Sequence, residues 1–191
     1  MPLIGYDEAL ARLASEEAGE GWLPWCEAHD IYQLPTVEWV EALADTIRPL
    51  APRHVVEVGS GAGALGRALM AQGIPLRMTD PAGDDDIEPL GAEEALSRYR
   101  PDMVVSCWLP FDLGAEKIIL ANPDVRWYLV ILQEGPGFAG SEHLWRNSDW
   151  ISQRIETADR WSVSRSDYLT EVVSGEHIRH GGAYLFERHK N

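Results

Sequence analysis

Several common signals are scarce or missing in this sequence, and each absence narrows what the chain can do. It has only two cysteines, Cys26 and Cys107, far apart and without C-x-x-C spacing, so neither a disulfide framework nor a zinc site is expected. It has no long apolar run: the longest, Trp127 to Leu132, falls far short of the ~20 residues that span a bilayer. The amino terminus "MPLIGYDEALARLASEE" has no basic region and is interrupted by Asp7, Glu8 and Arg12, unlike a signal peptide. Positive charge is scarce, with 16 Lys+Arg against 31 Asp+Glu and a formal net charge of -15. That balance repels a phosphate backbone, and no basic stripe interleaved with aromatics overcomes it. The expectation is a cytoplasmic protein without a nucleic-acid, membrane or metal partner. Its oligomeric state is unknown from sequence.

With 191 residues and 45% hydrophobic content, the chain can bury one sizeable core, and one domain over 1–191 is expected. Helical spacing is clear over Asp7–Glu17. It recurs after Pro35, where Val37, Val40, Leu43, Ala44, Ile47 and Leu50 form one stripe behind Thr36 as N-cap. From Arg53, strands and helices alternate: "RHVVEV", a helix closed by Gly73, "IPLRMT" ending at Asp80, the helix "AEEALSRY", "DMVVSCW", the helix "GAEKIILA" and "VRWYLVIL". "IEPL" reads as a further short strand. A helix is expected over Ser148–Asp159, followed by "WSVSRS" and "AYLFERH" pairing as an edge hairpin or an antiparallel addition. The result is an α/β chain with a doubly wound, mostly parallel sheet, antiparallel addition near the C-terminus and N-terminal helices. Residues 1–52 form a helical cap on a core of 53–191. Ligands of such sheets bind beyond the carboxyl ends of the strands.

The stretch "HVVEVGSGAGALGRALM", His54 to Met70, satisfies two nucleotide-binding patterns. Gly61, Gly63 and Gly66 spell the G-x-G-x-x-G of dinucleotide enzymes, whereas Glu57, Gly59, Gly61 and Gly63 give "EVGSGAG". An acid two residues before the first glycine stands where dinucleotide strands usually carry an apolar side chain. Asp80, roughly 20 residues past the loop, suits the ribose hydroxyls of either ligand. A dehydrogenase also needs a substantial catalytic domain, for which the chain after the third strand leaves little room.

"EVGSGAG" resembles motif I, (D/E)-x-G-x-G-x-G, of class I S-adenosylmethionine-dependent methyltransferases, and the resemblance extends over about Arg53 to Lys190. It implies S-adenosylmethionine as cofactor, held by Glu57, Gly59, Ser60, Gly61, Gly63 and Asp80. "PLGAEEAL" resembles the family's adenine-binding G-D-A segment, but Gly91 stands at the Asp position, which leaves Ala92 and Glu93, or backbone groups, for that role. "DMVVSCWLPF" resembles motif IV, implying Ser106 and Trp108 beside the transferred methyl. Trp108 has two readings of equal weight: an indole face for the sulfonium cation, or a packed core residue.

The implied reaction is methyl transfer to a small-molecule acceptor. Glu134 and His143, in the glycine-rich stretch after the fourth strand, are the candidate general bases. "EHIRH" (176–180), flanked by glycines rather than placed on a helix, reads as a polar turn, and the acidic run Asp84, Asp85, Asp86 and Glu88, which lacks the pattern of a cation loop, as a solvated loop. Trp22, Trp25, Trp39, Trp145 and Trp150, read as outside the strands, line an acceptor pocket or fill core. A non-catalytic methyltransferase-like scaffold and an NAD-dependent oxidoreductase are the alternatives.

Overall fold

The computed structural model describes residues 3–18, 21–110, 114–134, 142–169 and 177–189. Helices α1 (Tyr6–Ala18), α2 (Trp22–Ala28) and α3 (Val37–Ile47) precede the sheet. Helix α2 was not expected from the sequence; its Pro24 sits in the first turn, where a missing N–H costs no helical hydrogen bond. Helix α3 begins as expected, with the Thr36 hydroxyl accepting from Trp39 N at 3.2 Å.

Strands β1 (Val55–Val58), β2 (Leu76–Thr79), β3 (Ile87–Glu88), β4 (Met103–Cys107) and β5 (Trp127–Gln133) alternate with α4 (Ala64–Ala71), α5 (Ala92–Tyr99) and α6 (Ala115–Ala121). Then follow α7 (Glu142–Trp145), β6 (Trp150–Arg154), α8 (Glu156–Asp159), β7 (Tyr168–Leu169), β8 (His177–Ile178) and β9 (Gly181–Arg188). Among the described residues the main sheet has the order β3-β2-β1-β4-β5-β9-β6. β1 to β5 are parallel, and β9 runs antiparallel to both β5 and β6. This is the doubly wound, mostly parallel sheet with a C-terminal antiparallel addition that the sequence led us to expect.

Because side chains alternate across a strand, the sheet buries two separate faces. Val55, Met103, Val105, Leu129 and Ile131 pack with α3, α4 and α8 on one side. Val56, Val58, Val104, Tyr128, Val130 and Leu132 pack with α5, α6 and α7 on the other. A third cluster joins α1 and α2 to Ile31, Leu34 and Val163 and forms the cap proper. Helix α3, placed by sequence in the cap, therefore belongs to the sheet's own core.

Two C-terminal expectations are corrected. Ser148–Asp159 is not one helix: Trp150–Arg154 is strand β6, and only Glu156–Asp159 is helical. The local residues tolerate a helix, but the free edge of β9 presents unpaired N–H and C=O groups that β6 satisfies. Trp150 fixes the strand, buried beside Tyr128 and Phe186 with its indole N–H donating to Leu120 O at 3.3 Å. Likewise "WSVSRS" forms no hairpin with "AYLFERH". Ser164 makes an isolated bridge to Gln33, while β9 is inserted between β5 and β6.

Candidate functional site

Strand β1 ends in the glycine loop, and the loop is tied to β2 by a set of short-range bonds. Thr79 N donates to the Ser60 hydroxyl at 3.2 Å, Ser60 N to Thr79 O at 3.0 Å, and the Thr79 hydroxyl to Glu57 O at 2.8 Å. These contacts bring the residue after β2 onto the loop, where the Asp80 carboxylate accepts from Gly61 N at 2.9 Å and from Ala82 N at 2.9 Å. Gly59, Gly61 and Gly63 all adopt left-handed backbone, with φ of 69°, 52° and 73°. Side-chain-bearing residues visit that region at a cost, so the three glycines of "GSGAG" are matched to the loop's path.

Gly66 has a different task. A Cβ there would lie 2.4 Å from Glu57 Oε2 and 2.6 Å from Met78, so α4 crosses the sheet on a bare backbone. Beneath that crossing, Glu57 is 1% exposed, and its Oε2 has no hydrogen-bond partner. Burial pushes its pKa from 4.5 up to about 7.

A cavity of about 230 Å3 opens in front of the loop. Its walls are Glu57, the loop from Gly59 to Ala62, Cys107 and Trp108 at the end of β4, and the segment Asp30–Pro35 that links α2 to α3. Trp108 has φ of 55°, a left-handed conformation that costs a bulky residue about 1–3 kcal/mol. Its N–H donates to Ile131 O at 2.8 Å, extending the β4–β5 ladder one residue further. Its indole Nε1 donates to Gln33 Oε1 at 3.4 Å, and the Tyr32 ring lies 6.1 Å away. Leu109 covers Gly59 so closely that a Cβ at 59 would meet it at 2.3 Å. The motif IV stretch and the glycine loop are therefore in contact.

The structure thus brings Glu57, Gly59, Ser60, Gly61 and Trp108 to one cavity, with Asp80 bonded to the loop behind it. Gly63 starts α4 with its left-handed backbone. The other candidates lie elsewhere. Ser106 is fully buried and bonded to the Tyr128 hydroxyl at 2.6 Å, so it does not reach the cavity. Ala92 and Glu93 open α5, whose Gly91 N donates to the Glu94 carboxylate at 3.2 Å, and neither lines the cavity. Glu134 is bound by Arg154 at 2.9 Å and by the Tyr184 hydroxyl; His143 is exposed on α7. Neither base candidate lines the cavity.

Of the tryptophans, only Trp39 and Trp108 line it, and Trp150 is in β6. In the acidic run, Asp86 takes a fork from Arg67 at 2.6 and 2.9 Å. No group of His, Cys, Asp and Glu able to hold a metal ion occurs among the described residues; Glu176 of "EHIRH" lies outside them. No helix among them is long and apolar enough to cross a membrane.

Asp30, Tyr32 and Gln33 were not legible as site residues. Gln33 reaches the cavity through partners far away in sequence, and Asp30 and Tyr32 belong to no motif. The one usable signal was Pro35-Thr36, which fixes where α3 starts and hence where the preceding segment is delivered.

No protein-family model matches the sequence, and no curated protein matches it significantly. Among the solved structures that resemble it in chain course are three methyltransferases. One is a Burkholderia thailandensis 1,6-didemethyltoxoflavin-N1-methyltransferase with bound 1,6-didemethyltoxoflavin and S-adenosylhomocysteine (16% identity, TM-score 0.49, 100% of this chain and 93% of that one). Another is a SAM-dependent methyltransferase from Agrobacterium tumefaciens (11%, 0.42, 80% and 60%). The third is human N-acetylserotonin methyltransferase in complex with SAM (13%, 0.41, 79% and 52%). By the order and direction of its strands, the chain has a doubly wound, mostly parallel α/β fold with the antiparallel strand β9 set between β5 and β6.

Proposed function

We propose that this protein is an S-adenosylmethionine-dependent methyltransferase acting on a small-molecule acceptor. The observation that carries the reading is Glu57, a buried carboxylate with an unpartnered oxygen on the wall of the glycine-loop cavity. Burying this carboxylate disfavours its charged form, and a cationic group placed beside it would favour that form again. S-adenosylmethionine carries two cationic centres, a sulfonium and an ammonium. A dinucleotide would instead bring an anionic pyrophosphate to the same acid, and like charges repel.

When bound, the cofactor supplies a methyl carbon on a sulfonium, which needs a nucleophile in line rather than a covalent enzyme intermediate. The chain's own part is to hold and orient. The free amides of the first turn of α4 and the loop backbone would cradle the methionine and ribose portion. Asp80, positioned by its bonds to Gly61 and Ala82, keeps carboxylate lone pairs for the ribose hydroxyls. Trp108 offers an indole face where the sulfonium would lie. Adenine would have to extend out of the cavity to reach Ala92, Glu93 and backbone at the start of α5, none of which lines the cavity itself. The α1–α2 cap is tied to this core through residues 161–164, where the Trp22 indole donates to Ser164 O at 3.0 Å and the Thr36 hydroxyl to Trp161 O at 3.0 Å, which supports one domain over 1–191.

Calorimetric titration with S-adenosylhomocysteine and separately with NADH tests the reading. Saturable heat with the first alone is expected; heat with NADH alone overturns it.

A further inference from the structure

The cavity is acidic and aromatic at two depths, and its outer part has a charge preference of its own. Deep inside stands Glu57, 1% exposed with Oε2 unpartnered. At the rim stands a second carboxylate, Asp30, on an exposed residue held at φ of 53°. Next to it is the Tyr32 ring, 44% exposed and 6.1 Å from the Trp108 indole. No Lys, Arg or His lines the cavity among the described residues. Arg165 lies over the Tyr32 ring at 4.3 Å without lining the cavity, so this ring already receives a cation on one face.

We infer that the rim formed by Asp30 and Tyr32 is the acceptor subsite and that it selects an organic amine, whose protonated nitrogen pairs with Asp30 while its apolar body packs on Tyr32. This rests on the methyltransferase reading, in which Glu57 and Trp108 are occupied by the cofactor's own cationic centres. Asp30 is the lining acid that remains. A carboxylate or phosphate acceptor would meet acids but no cation in the lining, Arg165 lying over the Tyr32 ring outside it, and a net charge of -15 adds long-range repulsion.

The transfer balances without a further reagent. The ammonium first gives one proton to solvent at the open rim. The freed nitrogen pair then bonds the methyl carbon as the carbon–sulfur pair withdraws to sulfur, leaving a methylated ammonium and a neutral thioether.

Three probes of one shape separate charge from ring burial: phenethylamine, 2-phenylethanol and 3-phenylpropionate, each titrated calorimetrically into the protein saturated with S-adenosylhomocysteine. Phenethylamine is expected to bind about tenfold more tightly than the alcohol, as a charge-assisted contact plus a cation–π contact implies, and the carboxylate most weakly. Asp30→Asn should erase the amine's advantage over the alcohol while S-adenosylhomocysteine affinity stays within about twofold, since the neutral amide no longer attracts the cation. Tyr32→Leu should reduce it several-fold.

Preference for the carboxylate, equal binding of all three, or no binding of the amine while S-adenosylhomocysteine binds would each overturn the amine assignment and leave the methyltransferase reading standing. Absence of S-adenosylhomocysteine binding would remove both.

Discussion

The buried side chain of Gln33 links three distant segments: its Oε1 accepts from the Trp108 indole at 3.4 Å while its Nε2 donates to the Ser162 hydroxyl and Val163 O, each at 3.0 Å. The two donations fix which way the amide oxygen points, so the indole is held over the cavity by the packing of the cap. Gln33→Leu removes all three bonds and strands the Ser162 hydroxyl and the Trp108 indole N–H, while Val163 O keeps the Leu34 N–H at 2.8 Å. It should cost about 1–3 kcal/mol of stability in urea unfolding, the penalty for stranding buried polar groups. It should also weaken S-adenosylhomocysteine binding. A variant with unchanged midpoint and unchanged affinity would show that the link holds nothing in place.

Glu57 makes stability depend on pH in a defined direction. Its pKa is raised from 4.5 to about 7, so the folded chain prefers the protonated carboxyl. The stabilising contribution is therefore full below about pH 4.5 and is lost as pH rises through 7, a change of about 3 kcal/mol. Glu57→Gln should remove that dependence. The variant should match the parent near pH 4 and exceed it at pH 8, while binding S-adenosylhomocysteine, with its ammonium, less tightly. Urea unfolding at several pH values reads the first effect and calorimetry the second. Parallel pH profiles for parent and variant would contradict the assignment.

The legible parts of this molecule are those where a local requirement names its residue. Left-handed turns needed Gly59, Gly61 and Gly63, a helix start needed Thr36, and continuous β-branched runs announced β1, β4 and β5 as strands buried on both faces. What stayed hidden was decided by partners remote in sequence. β6 is a strand because β9 offered it an edge, and Ser106, two residues before Trp108, turns inward to Tyr128 rather than toward the cavity. Glu134 follows a strand at the active end of the sheet, yet Arg154 and Tyr184 claim its carboxylate from β6 and β9. Gln33 had no motif at all; its partners lie as far as 130 residues away.

The loop glycines should separate by consequence. At Gly61 a Cβ meets nothing within 4 Å, but φ is 52°, so Gly61→Val should cost about 1–3 kcal/mol of backbone strain, leave the protein folded and abolish S-adenosylhomocysteine binding by projecting into the cavity. Gly66→Ala meets Glu57 and Met78 instead and should destabilise by about 1–3 kcal/mol through overpacking. Circular dichroism melts with calorimetry distinguish them. Full binding by Gly61→Val would place the ligand elsewhere.

Asp80→Ala removes the acceptor for Gly61 N and, in the proposed function, the ribose contact. The expected loss in S-adenosylhomocysteine affinity is about 1.5–3 kcal/mol, the range for hydrogen bonds to a charged group. An unchanged dissociation constant would show that the ribose does not use this carboxylate.

Trp108 allows a test that needs no acceptor. Its left-handed backbone and its bond to Gln33 hold the indole at the cavity wall, so its face is available to a cation there. S-adenosylmethionine carries the sulfonium charge and S-adenosylhomocysteine does not, while the two are otherwise nearly the same shape. The parent should favour the charged ligand by about 0.5–2 kcal/mol, the value of a cation over an aromatic face. Trp108→Leu still fills apolar space but has no ring quadrupole, so it should lose that preference and keep most of its affinity for the neutral product. Trp108→Phe should retain part of the preference, which separates ring electrostatics from the loss of the indole bond to Gln33. Equal losses for both ligands in the leucine variant would mean that Trp108 only packs, and a parent without any preference would mean that the sulfonium does not lie against this ring.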